Sequence, residues 1–155
     1  RAAGVALSPI TGGPSMNESL ETNIPGVFAA GNVLHVHDLV DYVSEEAGAA
    51  GEHAAAYILE GKHAAGRTLP VRCENGVRYT VPTAIRPDCA GDTVTLRFRV
   101  GGVYKNKKIA VYLGDTCIFS RRRPVLAPGE METVRLKSDL LRGAGDAVTV
   151  TLEEG

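Results

Sequence analysis

The stretch Thr22-Asn23-Ile24-Pro25-Gly26-Val27-Phe28-Ala29-Ala30-Gly31-Asn32 determines how the first half of this 155-residue chain is interpreted. Residues 27–30 form a short apolar run closed by Gly31, a pattern typical of a buried parallel strand. Ligands of open α/β sheets bind where such strands end, and there this chain carries a polar side chain, Asn32. The stretch therefore predicts a strand at about 27–30 that ends at a ligand site.

A long helix is predicted after the strand, at about residues 39–60. Asp38 is a suitable N-cap, because its carboxylate can accept a hydrogen bond from an unpaired backbone N–H at the helix start. Gly61 is a suitable C-cap. Small or apolar side chains recur at three- and four-residue spacings, which predicts a face that packs closely against another backbone. These residues are Ala47, Gly51, Ala54, Ala55 and Ile58.

The composition changes near residues 66–70, from Ala- and Gly-rich to alternating β-branched and polar residues. We place a domain boundary there, with a first domain at 1–66 and a second at 67–155. The run Thr93-Val94-Thr95-Leu96-Arg97-Phe98-Arg99-Val100 alternates strictly, so Leu96 and Phe98 are predicted to face a core. Several such runs separated by turns predict an all-β, sandwich-like domain. The fold class is therefore α+β.

Charge and cysteine content exclude several classes of function. A formal net charge of -1 gives no electrostatic reason to expect a nucleic acid or an anionic membrane as partner. Three widely spaced cysteines without a C-x-x-C pair predict neither a zinc knuckle nor a dithiol redox centre, and they suit a reducing cytoplasm. No apolar stretch approaches the roughly 20 residues that span a bilayer. The chain begins with Arg1 in mid-pattern, so we expect it to be a fragment of a longer protein.

The stretch that opens this section resembles the second FAD fingerprint of two-dinucleotide-binding-domain flavoproteins, the pyridine nucleotide-disulfide oxidoreductase superfamily. That fingerprint has a Thr, a spacer, Pro-Gly, an apolar strand, then Gly-Asp and a helix rich in small residues. Here Thr22, residues 25–31 and the step Glu46-Ala47-Gly48 match it, and Asn32 replaces the usual Asp. The resemblance covers roughly the first 60 residues. It implies that the first domain is the carboxy-terminal strand and helix of a Rossmann-like FAD-binding domain.

The resemblance also implies a cofactor and its contacts. Gly31 would let the backbone approach the cofactor, and Asn32 would contact the ribityl chain of FAD through its neutral amide. Backbone N–H groups near Val40 and Asp41 would meet the pyrimidine edge of the flavin, where a helix N-terminus favours negative charge. The whole protein would transfer a hydride between NAD(P)H, as co-substrate, and a second substrate through FAD.

The G-x-G-x-x-G loop that cradles the pyrophosphate in this family is missing from the sequence, as is an NAD(P) domain. We therefore expect the fragment alone to be inactive and its partners to be the rest of its own FAD and NAD(P) domains. The β-domain would cover the catalytic domain or dock a partner subunit. An alternative function class also stays open. In it, the β-domain is a non-catalytic binding or assembly module and the first half is a tether.

The segment His35-Val36-His37-Asp38 allows more than one interpretation. Imidazole and carboxylate are suitable metal ligands, but two His at alternate positions of an extended segment point in opposite directions, and no third His lies nearby. We therefore predict no metal site. His35 or His37 could act as an acid/base near the flavin, or could belong to a polar loop that caps the helix. The sequence leaves these two alternatives open, and it identifies no other catalytic residue.

Overall fold

The computed structural model describes residues 3–61 and 66–155. Residues 1–2 and 62–65, at the two ends of the predicted first domain, lie outside the described residues. The described part is a mixed α+β structure with one α-helix and two β-sheets. The elements are α1 (Val40–Glu60), β1 (Leu69–Cys73), β2 (Val77–Val81), β3 (Ala84–Ile85), β4 (Thr93–Val100), β5 (Tyr104–Leu113), β6 (Thr116–Leu126), β7 (Glu132–Lys137) and β8 (Val148–Glu154), with 3-10 turns at Gly31–Val33 and Ser138–Arg142.

Two sheets contain all of the named strands. The larger sheet has the order β3-β1-β8-β5-β6, and the smaller has the order β2-β4-β7. The first strand β1 pairs in parallel with the last strand β8, while the other pairings are antiparallel. The β1–β8 pairing brings the two ends of the second half of the chain together in one sheet.

The alternation predicted for β4 is present in the structure. Leu96, Phe98 and Val100 are fully buried, and they belong to one hydrophobic cluster that also contains residues of the larger sheet such as Ile109 and Val150. The two sheets therefore share a single core. Because side chains alternate along a strand, Arg97 and Arg99 extend from the opposite face of β4, where the first half of the chain lies.

The first half of the chain packs against the β-domain through hydrogen bonds and a second, smaller core. The Thr83 backbone N–H donates to the Met16 carbonyl at 2.9 Å. Arg86 donates from its backbone N–H and from Nε to the Glu18 carboxylate, at 2.8 and 3.1 Å. The buried residues of the smaller core come from both halves of the chain. They are Met16, Leu20, Leu34, Ala50 and Val81.

Helix α1 begins and ends close to the predicted positions, but its N-cap is not the predicted one. The N-cap is Leu39, and no described side chain caps this end of the helix. The Asp38 carboxylate instead accepts hydrogen bonds from Arg99 and from the Met131 backbone N–H. The N-cap prediction was wrong because groups far along the chain compete for the same carboxylate. At the other end, Gly61 is the C-cap, as predicted, with φ +84°.

The helix also buries a different face from the predicted one. Its buried residues are Glu46 and Ala50, one turn apart. Ala47 and Ile58 are exposed, and a Cβ added to Gly51 would meet no described atom within 4 Å. The predicted small-residue face is therefore largely exposed, and an acidic side chain takes the buried position.

Residues 27–30 do not form a named strand. Phe28 pairs with Glu21 through a single bridge, and the Thr22 N–H donates to the Val27 carbonyl at 2.8 Å, which closes a local turn. A parallel strand forms only beside neighbouring strands, and among residues 3–61 there is no strand to pair with it. The described residues thus give no Rossmann-like sheet, and this finer part of the fold prediction stays untested.

Candidate functional site

Residues 31–38, named here the 31–38 loop, connect the fingerprint stretch to α1 and open with a tight turn. Gly31 has φ +74°, in the left-handed region that favours glycine. The Leu34 N–H donates to the Gly31 carbonyl at 2.9 Å, which closes the turn. A Cβ at Gly31 would lie 3.2 Å from Cγ1 of Val43, so the turn lies tightly against the helix. Glycine is therefore required here both by conformation and by close packing.

The predicted cofactor contacts lie in this turn and in the helix that it touches. Gly31 is buried, while Asn32 is exposed, and the Asn32 Oδ1 accepts a hydrogen bond from the His37 backbone N–H at 3.2 Å. Val40 and Asp41 are exposed in the first turn of α1, and this helix contacts the Gly31–Val33 turn. The four residues therefore belong to two contacting elements, with three of them open to the surface.

The two histidines of the loop converge, contrary to the expectation that they point apart. The centroids of the His35 and His37 rings lie 4.5 Å apart, and both side chains are buried to within 1%. The expectation assumed an extended segment, whereas the chain bends between residues 34 and 39. The alternation rule of a strand does not hold in a bent loop. The two rings therefore lie on the same side of the loop, an arrangement that the two-residue alternation of a strand does not predict.

Both rings face Glu46, whose side chain is wholly buried. His37 Nε2 lies 3.1 Å from Glu46 Oε1, and His35 Nε2 lies 3.5 Å from Oε2. The Gly31 backbone N–H donates to Oε1 at 2.7 Å. A fourth group, Nη1 of Arg97 on β4, lies 3.5 Å from Oε2. One carboxylate thus joins the 31–38 loop, the helix and the smaller sheet.

Electrostatics keep this carboxylate charged. Burial by itself raises the pKa of Glu46, but the hydrogen bonds with His35 and the Gly31 N–H, together with the electrostatic influence of His37, hold the pKa below its usual value. A buried carboxylate without such partners would be costly to ionise. Glu46 is therefore an anion whose stability depends on the loop around it.

His35, His37 and Glu46 are also the described residues that could hold a metal ion. Each offers one ligand atom, and these atoms all lie within 4.8 Å of one another. Two features disfavour a cation there. The Arg97 guanidinium already lies beside the carboxylate, and neither histidine Nδ1 has a hydrogen-bond partner among the described residues, although metal-bound His usually donates from its second nitrogen. A buried ion-pair network accounts better for the cluster, and the absence of a metal stays a prediction.

A second set of contacts fixes the end of the loop to the β-domain. Arg99 Nη2 donates to the Val36 carbonyl at 2.9 Å and also contacts the Asp38 carboxylate, and its Nη1 donates to the Pro128 carbonyl at 3.1 Å. Asp38 also accepts from the Met131 N–H at 2.6 Å. The residues just before the helix therefore rest on β4 and on the turn before β7.

Several exposed side chains of the loop and of the helix start are apolar, although Asn32, Asp38 and Asp41 are exposed there as well. Four large apolar side chains within eight residues are more than half exposed. We name this set the apolar rim: Val33, Val36, Leu39 and Val40. Asn32 directly precedes Val33 in the sequence, so this exposed segment carries both polar and apolar side chains.

The fingerprint match included Glu46 but implied no contact for it, and the sequence did not assign Arg97 or Arg99 to the site. Two signals could have pointed to them. Glu46 shares a helical face with Ala50, one turn later, so it could have been assigned to a buried face. Arg97 and Arg99 share one face of a predicted strand. The predicted helix, which comes earlier in the sequence, carries the acidic pair Glu45 and Glu46. Neither signal identifies which acid meets which arginine.

Comparison with models of known protein families, with curated proteins and with solved structures gives no match for this chain. Within residues 3–61 and 66–155, no helix is long and apolar enough to cross a membrane.

Proposed function

We propose that this chain is the flavin-contacting part of an FAD-dependent oxidoreductase that transfers a hydride between NAD(P)H and a second substrate. The observation that carries the proposal is the arrangement at the end of the fingerprint stretch. Gly31 turns at positive φ, Asn32 is exposed, and α1 starts nearby without a described side-chain cap. The sequence resemblance assigns these same positions to the cofactor.

The chemistry of the surface fits an isoalloxazine ring with a polar tail. The apolar rim offers an apolar contact for the ring, and the Asn32 amide offers donors and an acceptor for hydroxyl groups. The first turn of α1 has backbone N–H groups without intrahelical partners, and these favour an adjacent negative charge. FAD, when bound, would supply the two-electron acceptor, while these residues would bind and orient it.

The remaining parts of the binding site would come from the rest of the FAD and NAD(P) domains of the same cytoplasmic protein. This chain lacks the phosphate-cradling G-x-G-x-x-G loop, so we do not expect it to hold FAD tightly alone. In this account the β-domain forms a sandwich-like unit that supports the 31–38 loop. Arg99 contacts the loop directly, and Arg97 contacts it indirectly through Glu46.

The alternative, a β-module that docks a partner subunit, would need an open surface, and among the described residues the longest edge strand of the two sheets is β6. β6 is an edge strand of 11 residues, which could pair with another chain. It contains Arg121, Arg122, Arg123 and Pro124, and cations and proline on an edge strand disfavour such pairing. The surface near Asn32 therefore supports a function better than the edge of the sheet does.

The proposal is tested by measuring bound flavin in the full-length protein that contains this chain, and in variants at Asn32. Asn32→Ala removes one hydrogen-bonding side chain and should weaken FAD binding about 2- to 10-fold, whereas Asn32→Asp should retain it. Asp115→Ala, at an exposed turn between β5 and β6, is the matched control. Equal FAD affinity in the Asn32→Ala and control proteins would contradict the role given to Asn32.

A further inference from the structure

We propose that Glu46 is a positioning residue that holds the 31–38 loop in its flavin-binding conformation and so sets the affinity for FAD. This inference rests on the proposed function, but its structural part does not require FAD. The starting observation is that one wholly buried carboxylate meets three separate positions of the loop: the Gly31 N–H at 2.7 Å, His35 at 3.5 Å and His37 at 3.1 Å.

Among the described residues, Glu46 is the hydrogen-bond partner of the Gly31 N–H and of the Nε2 atoms of both histidines. Without the carboxylate, the Gly31 N–H and two imidazole nitrogens would be buried without partners, and each such group is costly to leave unpaired. Both histidine Nδ1 atoms already lack partners among residues 3–61 and 66–155, so each imidazole would also lose the contact that its Nε2 atom makes with Glu46. Loss of Glu46 should therefore change the loop conformation rather than a single contact.

The effect would reach the ligand surface through Asn32. This residue follows Gly31 directly, and its Oδ1 accepts from the His37 N–H at 3.2 Å. Glu46 thus contacts Gly31, which precedes Asn32 in the chain, and His37, which hydrogen-bonds to the Asn32 side chain. When Gly31 and His37 shift, the Asn32 amide should shift with them, as should Val33 and Val36, the two members of the apolar rim that lie on the loop.

Arg97 explains why the carboxylate is directed at the loop. Its guanidinium lies 3.5 Å from Glu46 Oε2, which links the buried carboxylate to β4. Glu45 contacts the same arginine but has a half-exposed side chain, and its hydrogen bonds are to Arg97 and Arg135 rather than to the loop. The adjacent residue therefore provides a matched control with equal charge and chemistry.

The test uses the full-length protein as wild type, Glu46→Gln, Glu46→Asp and the control Glu45→Gln. We expect Glu46→Gln to weaken FAD binding about tenfold, Glu46→Asp to restore part of the affinity because the charge is kept, and Glu45→Gln to remain within about twofold of wild type. Circular dichroism checks that each variant is folded. Wild-type affinity in folded Glu46→Gln would overturn the proposal.

A double-mutant cycle with Asn32→Ala separates positioning from general destabilisation. If Glu46 acts through Asn32, the effects of Glu46→Gln and Asn32→Ala on FAD affinity should be clearly less than additive. Additive effects would overturn the proposal, because they would mean that Glu46 acts by another route. A stoichiometric metal in the wild type that is lost in Glu46→Gln would also overturn it in favour of a metal centre.

Amide hydrogen exchange makes the outcome independent of FAD. We expect faster exchange at Gly31 and His37 in Glu46→Gln than in Glu45→Gln, because a neutral amide accepts weaker hydrogen bonds than the charged carboxylate and so holds the loop less firmly. Unchanged exchange would refute the positioning role even if FAD binds. A wild-type protein that binds no FAD would instead refute the proposed function, and exchange would then show whether Glu46 still holds the loop.

Discussion

Nη1 of Arg97 lies 3.5 Å from Oε2 of Glu46, which links the β-domain to the helix of the first half. The two residues are on β4 and α1, and their side chains are largely buried. Because Glu46 also contacts the 31–38 loop, this pair connects the hydrophobic core of one half with the candidate site of the other. The consequences for stability can be measured directly.

Replacement of Arg97 by Ala should destabilise the protein by about 3 kcal/mol, because it leaves the Glu46 carboxylate buried with fewer compensating charges. Urea-induced unfolding measures this change. Arg135→Ala is the control, since Arg135 is an exposed partner of Glu45 and should cost less than about 1 kcal/mol. If Arg97→Ala and Arg135→Ala unfold at the same urea concentration, the buried pair is not a structural link.

Asp38 should make the stability pH-dependent. Burial by itself raises the pKa of Asp38. The hydrogen bond from the Met131 N–H and the contact with Arg99 outweigh this effect, and they hold the pKa below the ordinary value of 3.8. A lowered folded-state pKa stabilises the fold above the unfolded-state pKa, and that contribution is lost as the pH falls through the folded value. We therefore expect wild type to exceed Asp38→Asn in unfolding free energy near neutrality, and this difference to shrink below about pH 4. Parallel pH profiles for the two proteins would argue against the effect.

The shared core of the two sheets should depend strongly on Phe98. Its side chain is fully buried among residues of both sheets, so Phe98→Ala should cost about 3–5 kcal/mol through lost burial and a residual cavity. Val103→Ala is a suitable comparison, because Val103 is 67% exposed and should change stability by less than about 0.5 kcal/mol. Thermal unfolding of the two variants tests the difference, and equal melting temperatures would show that the sheets do not share this core.

The cysteines should differ in reactivity. Burial raises the pKa of the Cys73 thiol, and this effect outweighs the hydrogen bond with Thr80, while Cys117 is exposed. Because the thiolate is the reactive form, iodoacetamide at mildly alkaline pH should label Cys117 well before Cys73. Peptide mass spectrometry resolves the two sites. Faster labelling of Cys73 would mean that β1 opens readily in solution.

The sequence was a good guide wherever local periodicity determines structure. The two-residue alternation of β4 predicted its buried residues, and the helix at 40–60 differed from the predicted 39–60 by one residue. The β-domain and the helix could be predicted because each element carries its own pattern of apolar side chains. The Gly61 C-cap followed in the same way from a single local residue.

The sequence was a poor guide where distant groups compete. Asp38 would cap α1 if nothing else were near, but Arg99 and Met131, 61 and 93 residues away, take its carboxylate. His35 and His37 converge because the loop bends around Glu46, an arrangement that no period encodes. Residues 27–30 lack described neighbouring strands, so their strand-like composition alone produces no strand. The motif thus indicated which segment to treat as the candidate site, while the contacts inside that segment required the structure.

The most direct test of the central claim is the visible absorption spectrum of the purified full-length protein, recorded before and after anaerobic addition of NADH or NADPH. The account predicts a flavin spectrum that bleaches with one of the two nucleotides, because hydride transfer reduces the cofactor. A colourless protein that takes up no added FAD would contradict the flavin assignment of Gly31, Asn32, Val40 and Asp41. The docking-module interpretation of the β-domain would then replace it.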